Sequence, residues 1–338
     1  MTKVLINAEI GVNHNGDMVL AKEMIAAAAN CNVDIIKFQT ALPELVQIDN
    51  APKAKYQTKF TGDATSAMEM TRSFHFKHEA FLEIKTEVEK YNCEFLSTAF
   101  DMNSLEFLHS LNPVRYKIPS GEITNLPYLK KIGSFGKEVI LSSGVSTPDE
   151  VLQAFEVLTN CGLRKDQITV LQCTTAYPTP LQDANVRAML TLQEKTGGKM
   201  GYSDHTVGST AALIAVALGA VVIEKHFTTD QSLPGPDQHA SMMPEDFAEL
   251  VRQIREAEVA IGDGEKTVRP SELENQSIAR RGVYASRDLR AGETLLDSDF
   301  VMLRPQTSVS PMEIDSIIGK SLRAPLMRHE PFEWSLVD

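Results

Sequence analysis

Cysteine is scarce: the 338 residues hold four, Cys31, Cys93, Cys161 and Cys173, and no two form a CxxC pair. That excludes a disulfide scaffold or a zinc ribbon and leaves reduced thiols as the plain reading. Long apolar runs are missing too, none approaching the ~20 residues a bilayer helix needs. The opening MTKVLINAEIG passes straight into a strand-like run without an apolar leader region or cleavage site. The expectation is a soluble, cytoplasmic protein. Basic residues are the minority, 33 Lys plus Arg against 45 Asp plus Glu for a net charge of -12, which argues against a nucleic acid or an anionic membrane as partner. A local basic pocket for a small anionic substrate stays open. No GxGxxG follows the first strand-like run and no GxxxxGK[ST] occurs anywhere, so neither standard nucleotide-phosphate loop is present.

What is present reads as globular: 43% hydrophobic and 23% charged residues, in a length that suits one large domain and a small one. Eight short β-branched runs open at Val4, Asp34, Cys93, Arg115, Glu138, Ile168, Lys199 and Val221, with amphipathic helical patterns between them. Eight strand–helix units in about 260 residues predict an α/β fold, a (β/α)8 TIM barrel, rather than a doubly wound sheet. The barrel is expected over 1–265, a linker over 266–280, and a small β-rich module over 281–338. Within that module LRAGETLLDSDF faintly repeats as LMRHEPFEWSLV. So small a module predicts little core of its own. The stretch from Thr40 to Phe76 is too long for an ordinary connection and is expected as an extended, partly ordered loop or lid beside the active site.

In such a barrel the chemistry gathers at the C-terminal ends of the strands. Those ends carry Glu9; Lys37 and Gln39; Thr98; Lys117 and Ser120, with Glu122 beyond; Ser142; Thr175 and Tyr177 beyond the sixth; Ser203 and His205; and Glu224 and His226. Lysines inside strands are costly to bury unless paired. Lys37 and Lys117, with Thr98, Ser120 and Ser142, therefore form a cradle for phosphate or carboxylate, or else pair structurally with Glu9 or Glu122. His205 and His226 end neighbouring strands and can converge on one divalent metal with positions left open. Asp237, in the turn-rich LPGPDQHAS, is either a solvated loop residue or a partner for sugar hydroxyls.

The ordered set AEIGVNHNGD, IIKFQT, FLSTAFD, YKIPSGEITN, ILSSG, CTTAYPTP, GYSDHT, VIEKHFT and LPGPD resembles the sialic acid synthase family, the bacterial N-acetylneuraminate and legionaminate synthases, and the tail resembles their antifreeze-like (SAF) domain. The resemblance implies condensation of phosphoenolpyruvate (PEP) with an open-chain N-acetylmannosamine-type aldehyde and water, giving a nine-carbon 2-keto acid and phosphate. It implies a divalent metal, Mn2+ or else Mg2+ or Co2+, on His205 and His226. PEP would meet Lys37, Thr98, Lys117, Ser120, Ser142 and Ser203. The sugar would meet Gln39, Thr175, Tyr177, Asp237 and, across a domain-swapped homodimer, Arg304. Glu9 and Glu122 are the candidates for moving protons. The expected product is N-acetylneuraminate; N,N'-diacetyllegionaminate, from 2,4-diacetamido-2,4,6-trideoxymannose, is the alternative, towards which GEITNLP and AKYQ lean. Another metal-dependent aldolase or PEP-using synthase is more distant. Two departures stand out: Gln172 occupies a position often His in the family, and Thr175 replaces an Asn found in some neuraminate-forming members.

Overall fold

A computed structural model describes residues 3–54, 57, 58, 61, 62 and 66–337. Lys55 and Tyr56 of AKYQ lie outside the described residues. The chain divides into two units, Met1–Asp263 and Gly264–Asp338.

The first unit is the expected barrel. Strands β1 (Leu5–Gly11), β2 (Ile35–Thr40), β3 (Glu94–Ala99), β4 (Arg115–Ile118), β5 (Glu138–Ser142), β6 (Ile168–Cys173), β7 (Lys199–Asp204) and β8 (Val222–His226) close in sequence order, and each neighbouring pair, β1 with β8 included, is parallel. Strand residues alternate between two sides. One set, including Ile6, Ala8, Ile36, Phe38 and Val170, belongs to the large core shared with the helices. The other begins with Ile35, Leu96, Ile140, Leu171 and Val222, a small apolar plug. Two residues further along those strands stand Lys37, Thr98, Ser142, Cys173 and Glu224, all buried. The period of two thus stacks a polar ring directly on an apolar floor. Gly201 in β7 is needed for that floor: a Cβ there would lie 2.5 Å from Leu171 Cδ2 and 2.6 Å from the Val222 carbonyl oxygen.

Among its described residues, the segment expected as an extended loop contains the helices Pro43–Val46 and Ala67–Phe74, with further helical residues at 57, 58 and 61. The second starts with a capping box, Ser66 accepting from the Glu69 backbone while the Glu69 carboxylate accepts from that of Ser66. Its Met68 and Met70 are buried, which anchors the helix. Among the described residues no helix is long and apolar enough to cross a membrane.

The second unit has a core of its own, contrary to expectation. Val283, Leu289, Leu295, Ile317, Leu322, Leu326 and Phe332 are buried together, and Phe300 packs edge-on against Phe332 at 5.3 Å. β9 (Gly282–Ala285) pairs antiparallel with β10 (Phe300–Leu303). The faint repeat supplies this core: its opening leucines, Leu289 and Leu326, exchange both backbone hydrogen bonds, at 2.8 and 3.0 Å, and each copy ends in a 3-10 turn, Asp297–Asp299 and Trp334–Leu336. The stretch expected as a linker is structured, carrying helix Leu273–Ala279. The Gln306 amide donates to the Ser277 carbonyl at 2.8 Å.

Candidate active site

Barrel register sets the site. Glu9 lies opposite Lys37 on one side and His226 on the other, while Thr98 lies opposite both Gln39 and Lys117. Four buried charges follow, two of each sign. Lys37 Nζ sits 2.6 Å from Glu9 Oε2 and 3.6 Å from Glu224 Oε2, and donates to Thr98 Oγ1 at 3.3 Å. Lys117 Nζ donates to Ser142 Oγ at 2.6 Å and to Glu224 Oε1 at 3.1 Å. Glu224 also accepts from Ser203 Oγ at 3.0 Å and from Asn7 Nδ2 at 2.8 Å, so its two oxygens span the ring.

Burial works against charge on Glu224, but Lys117 and Lys37 outweigh it and hold the carboxyl well below the usual range. Burial opposes the charge on Lys37 as well, yet Glu224 and Glu9 keep its pKa above the ordinary lysine value. The structural reading of the strand lysines holds, since both are ion-paired, and they share a ring with Thr98, Ser142 and Ser203. The partner of Lys117 is Glu224 and not Glu122. Glu122 stands on a 3-10 turn after β4, where its carboxylate takes the Asn125 amide and burial, with Asp101 adding, raises its pKa. It shares no ion pair or hydrogen bond with the described lysines. Glu9, by contrast, also accepts from Gln39 Nε2 at 2.9 Å.

The imidazoles of His205 and His226 have centroids 5.4 Å apart, and Tyr177 packs on both, at 4.1 and 5.6 Å. His205 Nδ1 lies 2.8 Å from the Thr174 carbonyl. A carbonyl can only accept, so Nδ1 carries a proton, and in the neutral ring it is Nε2 that holds the lone pair. Burial disfavours charge on His205, while Cys173, whose Sγ is 3.9 Å from Nδ1, and the Thr174 carbonyl favour it and raise its pKa. His226 Nδ1 is buried without a partner. Burial, with His205 and Lys37 adding, holds His226 well below its ordinary pKa and therefore neutral. Two such rings fit a divalent cation that completes its shell from substrate and water, whereas a closed structural site needs about four protein ligands. Among the described residues no group of three or more His, Cys, Asp or Glu is placed to hold a metal.

Asp237 is buried near this pair, its pKa pushed up to about 6 by burial and by Glu9, against the pull of His205 and Lys37. Ser120 Oγ accepts from the Gly144 amide at 2.9 Å. Thr175 lies at the same corner: a Cβ on Gly144 would stand 2.3 Å from its Oγ1 and 2.7 Å from Ser120 Oγ. Gln172 is one step out of phase with the inward Leu171 and Cys173, and its Nε2 reaches the Ala184 carbonyl at 3.4 Å. Arg304 is an exposed residue of the second unit, lining a shallow surface hollow with Ile278 and Pro305.

Glu224 stands in the sequence as a polar strand-end residue but not as the hub of the charged ring, and its support, Asn7, was not singled out. The signal for Glu224 was its place two residues beyond Val222. Asn7 carries no such mark, since its contact depends on the closure of β1 onto β8.

The comparisons with known proteins follow this geometry. The NeuB family matches residues 24–266 and the SAF domain matches 280–338. The chain is 42% identical to N,N'-diacetyllegionaminic acid synthase of Campylobacter jejuni, over 95% of this chain and 96% of that protein. It is 40% identical to the protein of the same name from Legionella pneumophila, over 98% and 94%. Among solved structures, the N-acetylneuraminic acid (sialic acid) synthetase of Leptospira borgpetersenii superposes with a TM-score of 0.70 at 33% identity, covering 81% of this chain and 90% of that one. The barrel with its inward ring and the matched residues agree, and the chain belongs to the NeuB family, that of the sialic-acid-type nonulosonate synthases, with a SAF domain following in sequence.

Proposed function

We propose that the chain is an N,N'-diacetyllegionaminic acid synthase, a PEP-dependent enzyme that forms a carbon–carbon bond to 2,4-diacetamido-2,4,6-trideoxymannose. The observation that carries this reading is the bearing of that name by both relatives at 40% and 42% identity, each over more than nine-tenths of its length. The N-acetylneuraminate reading takes second place, with the solved relative at 33% identity. Thr175 in place of the Asn of some neuraminate-forming members points the same way. Four free cysteines, three of them buried, support a reducing, cytoplasmic location.

In this reading C3 of PEP attacks the aldehyde carbon, water adds at C2, and the C–O bond to phosphate breaks to leave the 2-keto acid. A divalent cation, Mn2+ by preference, held by His205 and His226, supplies Lewis-acid polarisation of the aldehyde when bound. The chain's own residues do the rest. Lys37 and Lys117 present ammoniums to the phosphate and carboxylate, with Thr98, Ser120, Ser142 and Ser203 donating hydroxyls, so that the anion is held in one orientation. The apolar plug beneath the ring excludes water from below. Glu9, already among the lysines, and Glu122 are the groups for the protons of water addition and phosphate departure. Gln39, Thr175, Tyr177 and Asp237 take the sugar, joined by Arg304 from the second subunit of a domain-swapped homodimer.

The test is phosphate release from PEP with each candidate aldehyde, with and without chelator. Release with the diacetamido sugar, lost on chelation and restored by Mn2+, is the expected result. No release with either sugar in the presence of Mn2+ overturns the reading; release only with N-acetylmannosamine transfers it to N-acetylneuraminate.

A further inference from the structure

The outer face of β7 and β8 packs against helices, and most of it is apolar: Met200, Tyr202, Ile223 and, one residue past β8, Phe227 belong to the large core. Asp204 and Lys225 break that pattern. Asp204 lies between Ser203 and His205, and Lys225 between Glu224 and His226, so both project on the side away from the site. They are buried, 1% and 3% exposed, and Lys225 Nζ lies 2.8 Å from Asp204 Oδ2. Replacing such a pair by apolar residues of similar volume is often neutral or stabilising, so stability gives no reason for its presence in a core. Its further bonds give one. Asp204 and Lys225 are the last partners in the β7–β8 ladder, directly before the two histidines. Lys225 Nζ also donates to the Thr206 carbonyl at 2.7 Å. The other carboxylate oxygen, Asp204 Oδ1, accepts from the Thr206 amide at 2.8 Å and from its hydroxyl at 2.7 Å. One ammonium thus fastens the chain on both sides of His205, while its own backbone leads straight into His226.

We propose that Asp204 and Lys225 are positioning residues, a tie behind the barrel wall that sets the separation of His205 and His226 for the divalent cation. The inference rests on the cation reading above. Two imidazoles are the whole protein contribution to that cation, since no group of three or more ligating side chains occurs among the described residues. A third ligand that could correct an error in their spacing is therefore lacking, and the spacing has to come from what holds the backbone. The ladder ends one residue too early to do so. The side chain of Lys225 continues it by one step, reaching from β8 across to residues 204 and 206. On the other flank the Thr179 amide donates to the His205 carbonyl at 2.8 Å, so the peptide that carries this imidazole is held from both neighbouring strands.

The experiment measures Mn2+ binding without substrates, by the paramagnetic resonance signal of the free ion, beside the urea midpoint of the same preparations. Two double variants are compared with wild type. Asp204→Asn with Lys225→Met keeps an oxygen for Thr206 and removes the tie; Asp204→Leu with Lys225→Met removes both. Each loses one charge of either sign, so the net charge behind the histidines does not change. The number of Mn2+ sites reports how much of a preparation is folded, and Kd reports the site itself. Both variants are expected to bind Mn2+ about 10- to 100-fold more weakly than wild type, with the apolar one unfolding at or above the wild-type urea concentration. Wild-type Kd in either variant overturns the assignment, and a lowered urea midpoint with unchanged Kd makes the pair a structural one. No Mn2+ binding by wild type overturns the cation reading and the assignment with it. Tight binding without phosphate release from either sugar overturns the acceptor reading alone.

Discussion

Lys117 and Glu224 are 107 positions apart in the chain, yet Nζ and Oε1 meet at 3.1 Å inside the barrel. Among the described residues, Glu224 is the one carboxylate within reach of both strand lysines. Glu224→Gln keeps the shape and an acceptor oxygen but removes the charge, leaving Lys117 a buried cation with only neutral acceptors, the amide oxygen and Ser142 Oγ. Breaking a buried pair from one side costs roughly 3–5 kcal/mol. The variant is expected to unfold at lower urea concentration by that amount. Its turnover should fall about 100-fold, because the lysines lose their common reference point. Wild-type stability in urea would show that the pair carries no net weight.

Gly144→Ala tests the corner where three loops meet. The new Cβ would stand 2.3 Å from Thr175 Oγ1 and 2.7 Å from Ser120 Oγ. Thr175 is exposed and can turn away, so stability should change by less than about 1 kcal/mol. Moving both hydroxyls should cost about tenfold or more in kcat/KM. Steady-state kinetics beside a thermal melt separates these effects; full activity would remove Ser120 and Thr175 from substrate contact.

Acid stability follows from His14. It is fully buried, stacked on Phe76 at 4.2 Å, and its pKa is lowered from 6.5 to about 3 by burial, with His75 adding. A depressed folded-state pKa means that the unfolded chain takes up the proton first. The contribution is full above pH 6.5 and is lost progressively as pH falls towards 3, up to about 5 kcal/mol at the acid end. His14→Gln keeps an acceptor for the Gly16 amide, which Nδ1 now holds at 3.1 Å, and removes the titration. The midpoint of acid unfolding should drop by about 1 pH unit. An unmoved midpoint would mean that His14 does not drive acid unfolding.

Arg304→Ala tests the proposed reach of the SAF unit into the site of a second subunit. A lost charge-assisted hydrogen bond of roughly 1.5–3 kcal/mol predicts a sugar KM raised about 10- to 100-fold with the PEP KM unchanged. If the proposed dimer forms, sedimentation should find it in both wild type and variant. An unchanged sugar KM would show that the SAF unit does not reach the site.

Much of the barrel was legible because its signal is local. Apolar residues at Ile35, Leu96 and Ile140, with Lys37, Thr98 and Ser142 two places on, record the period of two in the sequence itself. Histidines ending the last two strand-like runs were legible for the same reason. The pairing of Glu224 with both lysines was not, because VIEKH reads as an ordinary strand until β8 is brought against Lys117 from across the barrel. The helix Ala67–Phe74 was hidden by the polar stretch before it, although Ser66 and Glu69 carry a capping-box spacing. The small unit was misjudged because its core is assembled from leucines too widely spaced to read as a strand, Leu289 meeting Leu326 only through the internal repeat.

Closure of β1 onto β8 also has a meaning in time. As the ribosome delivers the chain, Glu9 and Lys37 emerge together and can pair early, whereas Lys117 waits more than a hundred residues for Glu224. A seven-stranded sheet that packed shut would trap that ammonium without its carboxylate, at a cost of several kcal/mol. Burial of Lys117 is therefore favourable only once β8 has brought Glu224 to it. Glu224 then acts as a latch, and the ring of buried charges is completed in the step that closes the barrel.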